Sequence, residues 1–217
     1  MSANEAKKGT GVLEPGRPSG PVLDAGDYKA GDDAVERFRE LLRIPTVSRN
    51  NKSLRDDEPF RRWVPTLRRL FPRFFEVTEL TTIDDFGMLL RWPGADPSLD
   101  PVVMMAHQDV VPVEGQEWEH DPFSAEIVDG EIWARGTLDT KCIASAFFEA
   151  AEHLVGQGYV PPRDVWFFSS DGEEVAAPTC AHAVEWFRAH GIHPYMVLDE
   201  GGAVAADAPL GVDVPVA

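Results

Sequence analysis

Cysteine is scarce: two residues in 217, Cys142 and Cys180, are too few for a disulfide framework and suit a reducing compartment. Basic side chains are also scarce, with 20 Lys and Arg against 37 Asp and Glu, a net charge of −17 and an isoelectric point near 4.6. Phosphate contacts need clustered cations, so this balance excludes nucleic acid as a partner and argues against docking on an anionic membrane. No apolar run approaches the roughly 18 to 20 residues of a membrane-spanning helix. The first residues, Met1 to Gly11, are polar and lack the apolar stretch of a secretory signal. Gly-x-Ser-x-Gly and His-Glu-x-x-His are both missing, which removes the serine-hydrolase elbow and the commonest zinc-protease helix. What is present, 43% apolar residues over this length, is enough for one large domain or two small ones. The expectation is a soluble, acidic, cytoplasmic globular protein.

Residues 1–30 hold five Gly and three Pro and few large apolar groups, and are expected to form a flexible arm. Order is expected from about residue 31, with Asp33 and Glu36 as a capping-box start. Val35, Phe38, Leu41 and Leu42 follow at helical spacing, stopped by Pro45. A second helix is expected after Pro59, with Phe60, Trp63, Val64, Leu67, Leu70 and Phe71 on its apolar face and Pro65 kinking or splitting it. Beyond it, expected strands at Phe86–Trp92, Val102–Ala106, Glu131–Ala134, Val165–Ser169 and Met196–Leu198 alternate with helices from about Cys142 to Leu154 and from Thr179 to His190. Val102–Met105 and Val165–Phe168 are apolar without alternation, as in strands covered on both faces. The alternation predicts an α/β layered domain with a mixed, mainly parallel sheet between helices.

Polar residues collect at the carboxyl ends of the apolar runs. Val102–Ala106 leads into His107-Gln108-Asp109, Val165–Ser169 into Asp171-Gly172-Glu173-Glu174, and Met196–Leu198 into Asp199-Glu200-Gly201-Gly202; Asp139 sits just before a helix. Sites in open α/β sheets form outside the carboxyl ends of strands, so the four clusters can converge. One histidine with several carboxylates suits Zn²⁺, Mn²⁺ or Co²⁺. Closely packed carboxylates repel one another unless a cation neutralises them. Each cluster alone also fits an ordinary wet loop, a helix N-terminal turn or a structural histidine; the four together at successive strand ends favour a metal site.

The order Met105-Ala106-His107-Gln108-Asp109-Val110-Val111-Pro112-Val113, then Trp118, Asp121-Pro122-Phe123 and Arg135-Gly136-Thr137-Leu138-Asp139-Thr140-Lys141 resembles the dinuclear zinc exopeptidase family, which includes aminoacylase, glutamate carboxypeptidase and succinyl-diaminopimelate desuccinylase. With Val197-Leu198-Asp199-Glu200-Gly201-Gly202 it is most similar to the Gly-Xaa carboxypeptidase and N-acyl-aromatic-amino-acid hydrolase branch, over about residues 33 to 205. The resemblance implies two Zn²⁺ per complete site, with Co²⁺ or Mn²⁺ as substitutes. His107 and Asp199 would bind the first metal, Asp139 would bridge, and Glu174 would bind the second. Glu173 would be the general base, and Asp109 would hold the other ring nitrogen of His107. The implied reaction is metallopeptidase or amidohydrolase cleavage of a small peptide or an N-acyl amino acid.

Some positions depart from the family pattern. Gly172 stands where an Asp usually precedes the Glu pair, Thr140 where an Asp commonly follows the bridging Asp, and Ala176-Ala177-Pro178 replaces a more Gly-rich turn. The family also carries a late metal-binding His and an inserted lid or dimerisation domain. No residue after His193 matches that His, and Val212, Val214 and Val216 look like the start of another strand. The expectation is therefore that residues 31–217 form the N-terminal part of a catalytic domain, with a homodimer only where the further domain is supplied. The rival is a truncated, inactive metal-binding fragment.

Overall fold

The computed structural model describes residues 31–201. The arm expected over residues 1–30 and the valines at 212, 214 and 216 lie outside the described residues. In chain order the elements are α1 (Asp32–Leu42), α2 (Glu58–Leu70), α3 (Pro72–Glu76), β1 (Glu79–Ile83), β2 (Gly87–Trp92), β3 (Val102–Met105), β4 (Glu126–Val128), β5 (Glu131–Trp133), α4 (Lys141–Gly156), β6 (Val165–Ser169), α5 (Thr179–Ala189) and β7 (Met196–Leu198).

Five strands form one sheet in the order β1-β2-β6-β3-β7. β6, β3 and β7 pair in parallel, while β2 runs antiparallel to both β1 and β6. Only β2 opposes the common direction, so the sheet is mixed and mainly parallel. β4 and β5 form a separate antiparallel hairpin.

The sheet lies between two apolar layers, and strand alternation assigns side chains to each. Met88, Leu90, Trp92 and Phe167 face one side, where Trp63, Leu67, Phe71, Phe74, Ala144 and Phe148 cover them. Leu89, Val103, Trp166 and Phe168 face the other, against Ala183 and Phe187 of α5. A strand covered on both faces needs apolar residues at every position, which is why β3 and β6 read as unbroken runs. Phe148 is the hub of the first layer, with ring centroids 5.3 Å from Phe71 and 5.1 Å from Phe167.

Two local expectations are corrected and one strand is added. α1 starts at Asp32 behind Gly31, which makes no side-chain cap; Glu36 pairs with Arg39 and Arg43 rather than folding back as a capping-box partner. α2 runs through Pro65 without splitting, because Trp63 and Leu67 are both buried in one core and the exposed proline ring points away from it. β1 was not foreseen: its Leu-Thr-Thr core is mostly exposed at the sheet edge, so it carries little hydrophobic signal.

Lys141 ties the start of α4 to the end of α1. It is fully buried, and its Nζ donates to the carbonyl oxygens of Leu41 at 3.2 Å and Ile44 at 2.6 Å, 5.3 Å from the centre of the Trp63 ring. These carbonyls lie at a helix C-terminus, where the backbone dipole favours a cation. Burial nonetheless pushes the Lys141 ammonium down to about 7, with the Asp109 charge opposing.

Candidate metal centre

The parallel pairing of β3 with β6 and β7 brings the residues after Met105, Ser169 and Leu198 to one edge of the sheet. His107, 2% exposed at its side chain, is the centre. Its Nδ1 stands 2.9 Å from the backbone carbonyl oxygen of Asp109. A carbonyl only accepts, so Nδ1 carries a proton, and Nε2 is the nitrogen left to bind a metal once the metal displaces its own proton. Nε2 stands 2.9 Å from Asp139 Oδ1, 3.5 Å from Glu200 Oε1 and 3.8 Å from Glu173 Oε2.

Two sets of donor atoms fall within 4.8 Å of one another: His107 with Asp139 and Glu174, and His107 with Glu173 and Glu200. No Lys or Arg pairs with these carboxylates among the described residues. The fit to a divalent cation rests on that chemistry: one imidazole and four carboxylates, with no Lys or Arg among the described residues to neutralise them.

The electrostatics follow. Burial opposes a charge on His107, but the carboxylates of Asp109 and Asp139 outweigh it and raise the imidazole to about 10. Burial pushes Glu173 and Glu174 upward, and the neighbouring carboxylates add to this against the pull of His107. Glu173 is thus shifted in the direction a proton-cycling base needs.

Asp109 acts on two neighbours. Its side chain, fully buried, lies 3.5 Å from His107 Nδ1, further than its own carbonyl. The carboxylate oxygens accept the backbone N–H groups of Glu173 at 3.0 Å and Glu174 at 3.2 Å. One residue therefore orients the imidazole through its carbonyl and the glutamate turn through its side chain.

Asp199 lines the same pocket, of about 300 Å³, with Ala106, His107, Ser170, Glu173 and Glu200. Its Oδ1 accepts the N–H of Glu200 at 2.9 Å, and it stands in neither donor set. Glu200 is the residue that sequence reasoning passed over. Consecutive residues leaving a strand point to opposite sides, so the Asp199-Glu200 pair signalled that one acid faces the site without saying which. Asp139 arrives on the loop between β5 and α4, and joins only the first donor set. The motif residues Trp118 and Arg135 meet, with the guanidinium 4.9 Å from the ring centre, and the Arg135 N–H donates to Pro122 O at 2.8 Å.

The departures from the family pattern have local explanations. A Cβ built on Gly172 would stand 2.6 Å from Ala177 Cβ, so the missing side chain at 172 and the alanine at 177 fill one space. The Ala177 N–H closes this turn on Gly172 O at 2.8 Å. Gly172→Ala is expected to cost about 1–3 kcal/mol by overpacking. Adding Ala177→Gly should recover most of the loss, and chemical denaturation of both variants checks it. Thr140 is fully buried and its hydroxyl finds no partner among the described residues, so an Asp there would place an unpaired charge in the interior.

Residues 103–211, half of the chain, match the family model described as Peptidase family M20/M25/M40. The chain belongs to this family. Among curated relatives of this M20 chain, N-fatty-acyl-amino acid synthase/hydrolase PM20D1 of Xenopus tropicalis is 32% identical over 186 residues, covering 84% of the chain and 36% of the relative. Carboxypeptidase S of Saccharomyces cerevisiae is 33% identical over 202 residues, covering 85% and 34% respectively. The chain thus spans about a third of the length of these relatives. Among solved structures, an M20 family metallo-carboxypeptidase from Sulfolobus solfataricus superposes with a TM-score of 0.63 at 22% identity, over 80% of this chain and 38% of that one. Human carnosine dipeptidase 1 gives 0.60 at 21% identity, over 80% and 39%. These likenesses establish that the M20 chain has the fold of such proteins.

Proposed function

We propose that this chain carries the metal-ligating face of a metal-dependent amide hydrolase, acting on a small peptide or an N-acyl amino acid. The observation that carries the reading is the ring of carboxylates around the outward nitrogen of His107, at the carboxyl ends of parallel strands. Family membership and relatives named as a carboxypeptidase and an N-fatty-acyl-amino acid synthase/hydrolase support the reaction class. His107 with Asp199 or Glu200 would hold one Zn²⁺ and Glu174 the other, with Asp139 serving both, Co²⁺ or Mn²⁺ being possible substitutes.

When bound, zinc polarises the scissile carbonyl and acidifies water at the site. The chain's own residues do the rest. Glu173 takes the proton of the attacking water and delivers it to the departing amine, a role its upward-shifted carboxyl suits. The Asp109 carbonyl holds His107 in the Nδ1–H tautomer, and the Asp109 carboxylate fixes the backbone from which Glu173 projects. Residues 31–217 are read as the front part of the catalytic unit, in a reducing compartment where Cys142 and Cys180 stay free thiols.

A second reading, a metal-binding chain without turnover, is favoured by the share of the relatives it spans. Calorimetric zinc titration, paired with hydrolysis assays on dipeptides and N-acyl amino acids, separates the two. The 217-residue chain is expected to bind one Zn²⁺ much more tightly than a second and to hydrolyse little, while a polypeptide extended to the relatives' length hydrolyses in a chelator-sensitive way. Two equally tight sites in the short chain would refute the expectation that the second metal needs the late histidine that the resemblance implies. An extended protein that binds zinc and hydrolyses neither substrate class would support the second reading.

A further inference from the structure

Arg55 is a buried charged residue that plays no part in the chemistry above. It follows a short 3-10 turn at Lys52–Leu54, and its side chain is 6% exposed. Its Nη1 donates to Asp171 Oδ2 at 3.2 Å and its Nε to Asp57 Oδ1 at 2.8 Å. The guanidinium carbon lies 4.8 Å from the centre of the Phe60 ring and 5.1 Å from that of Phe86. Asp171 is equally enclosed, at 4% exposure, and its other oxygen accepts the hydroxyl of Thr179, the first residue of α5, at 2.7 Å.

Position gives this pair its meaning. Asp171 lies two residues before Glu173, in the turn from β6 to α5. That turn is anchored at three levels: Ser170 O accepts the Gln108 N–H at 3.0 Å, Asp171 is held by Arg55 and Thr179, and the N–H groups of Glu173 and Glu174 end on Asp109. Arg55 comes from the stretch between α1 and α2, outside every element that forms the site. A buried ion pair is seldom more stabilising than apolar side chains of the same volume. Breaking one leaves an uncompensated charge, which moves toward water and takes its backbone along.

We propose that Arg55 and Asp171 are positioning residues that set the placement of Glu173 and Glu174 at the metal centre, a role that rests on the functional reading above. Neither touches His107 or its surrounding carboxylates; they act through the turn. Near the reacting atoms, a displacement of about 1 Å can cost about 10²-fold in rate, and loss of an orienting partner costs about 10- to 100-fold in metal affinity.

The test uses the full 217-residue chain with Arg55→Met, Arg55→Lys, Asp171→Asn and the double variant Arg55→Met/Asp171→Asn. Zinc affinity by competition with a chelating dye, the visible d–d spectrum with Co²⁺, and thermal midpoint are read together. Arg55→Met and Asp171→Asn are each expected to weaken zinc binding about 10- to 100-fold and to alter the Co²⁺ bands. The double variant should be no worse than either single one, because the two act as a unit. Arg55→Lys, which keeps the charge, should recover part of the affinity. Thr179→Val, which removes only the neutral donor, gives a smaller change in the same direction and carries the test where Arg55→Met does not fold. Lowered thermal midpoints with parental zinc affinity and Co²⁺ spectrum would overturn the proposal and leave a purely structural pair. A parent chain that binds no metal refutes the functional reading and this proposal with it; a binding parent with unaffected variants refutes this proposal alone.

Discussion

Glu173→Gln, in a polypeptide that turns over, is expected to lower kcat by about 10²- to 10⁴-fold with its metal content unchanged. The substitution keeps the side-chain volume and removes only the capacity to cycle a proton. It also leaves the turn intact, because the bond to Asp109 runs through the backbone N–H of residue 173. At about 1.36 kcal/mol per decade the loss corresponds to about 3–5 kcal/mol of transition-state stabilisation. Glu174→Gln is the necessary companion. Glu174 stands with His107 and Asp139 in one donor set, so its amide should release metal and activity together. Metal analysis of both purified variants, beside their rates, decides the assignment. Retained turnover in Glu173→Gln would remove the base. Metal loss in that variant, with full occupancy in Glu174→Gln, would exchange the two roles.

His107→Ala is expected to abolish the stabilisation that zinc confers. The imidazole is the one donor common to both sets, so its loss leaves only carboxylates. For the parent chain, free Zn²⁺ at about 100 times its dissociation constant stabilises the folded state by about 2.7 kcal/mol. At about 2–4 °C per kcal/mol for a chain of this size, the midpoint should rise by about 5–11 °C. The variant should shift by less than about 1 °C. The quantity to compare is the increment on adding zinc, because His107 also neutralises Asp139 without metal, and its removal lowers the starting midpoint. A variant that keeps the parental increment would show that the carboxylates bind zinc without the histidine.

Much of the site could be read from residue order. Val102–Met105 and Val165–Ser169 are uninterrupted apolar runs followed at once by His107-Gln108-Asp109 and Asp171-Gly172-Glu173-Glu174. In a parallel arrangement those features must reach the same edge, and they do. The reading weakened wherever two adjacent residues competed for one direction. Asp199 and Glu200 follow β7 directly, and the backbone turn after Leu198 decides which of them nears His107. Asp109 was legible as a partner of the histidine. Its carbonyl, rather than its carboxylate, is the nearer acceptor, a choice made by the bend of the chain between residues 107 and 109. Pro65 could be read as kinking or splitting α2; the helix is not split, because burial of Trp63 and Leu67 outweighs the one backbone bond the proline removes.

The amino-acid order by itself determined the layered α/β class, the apolar strands and the acids that follow them, because these depend on local periodicity and chemical type. Tertiary structure alone decided that Arg55 reaches Asp171 across 116 positions, that Lys141 caps α1, and that Gly172 and Ala177 share one volume. Such pairings join residues far apart in the chain, or fill a gap of one methyl group. They follow from how the layers close on one another, which no stretch of sequence contains on its own.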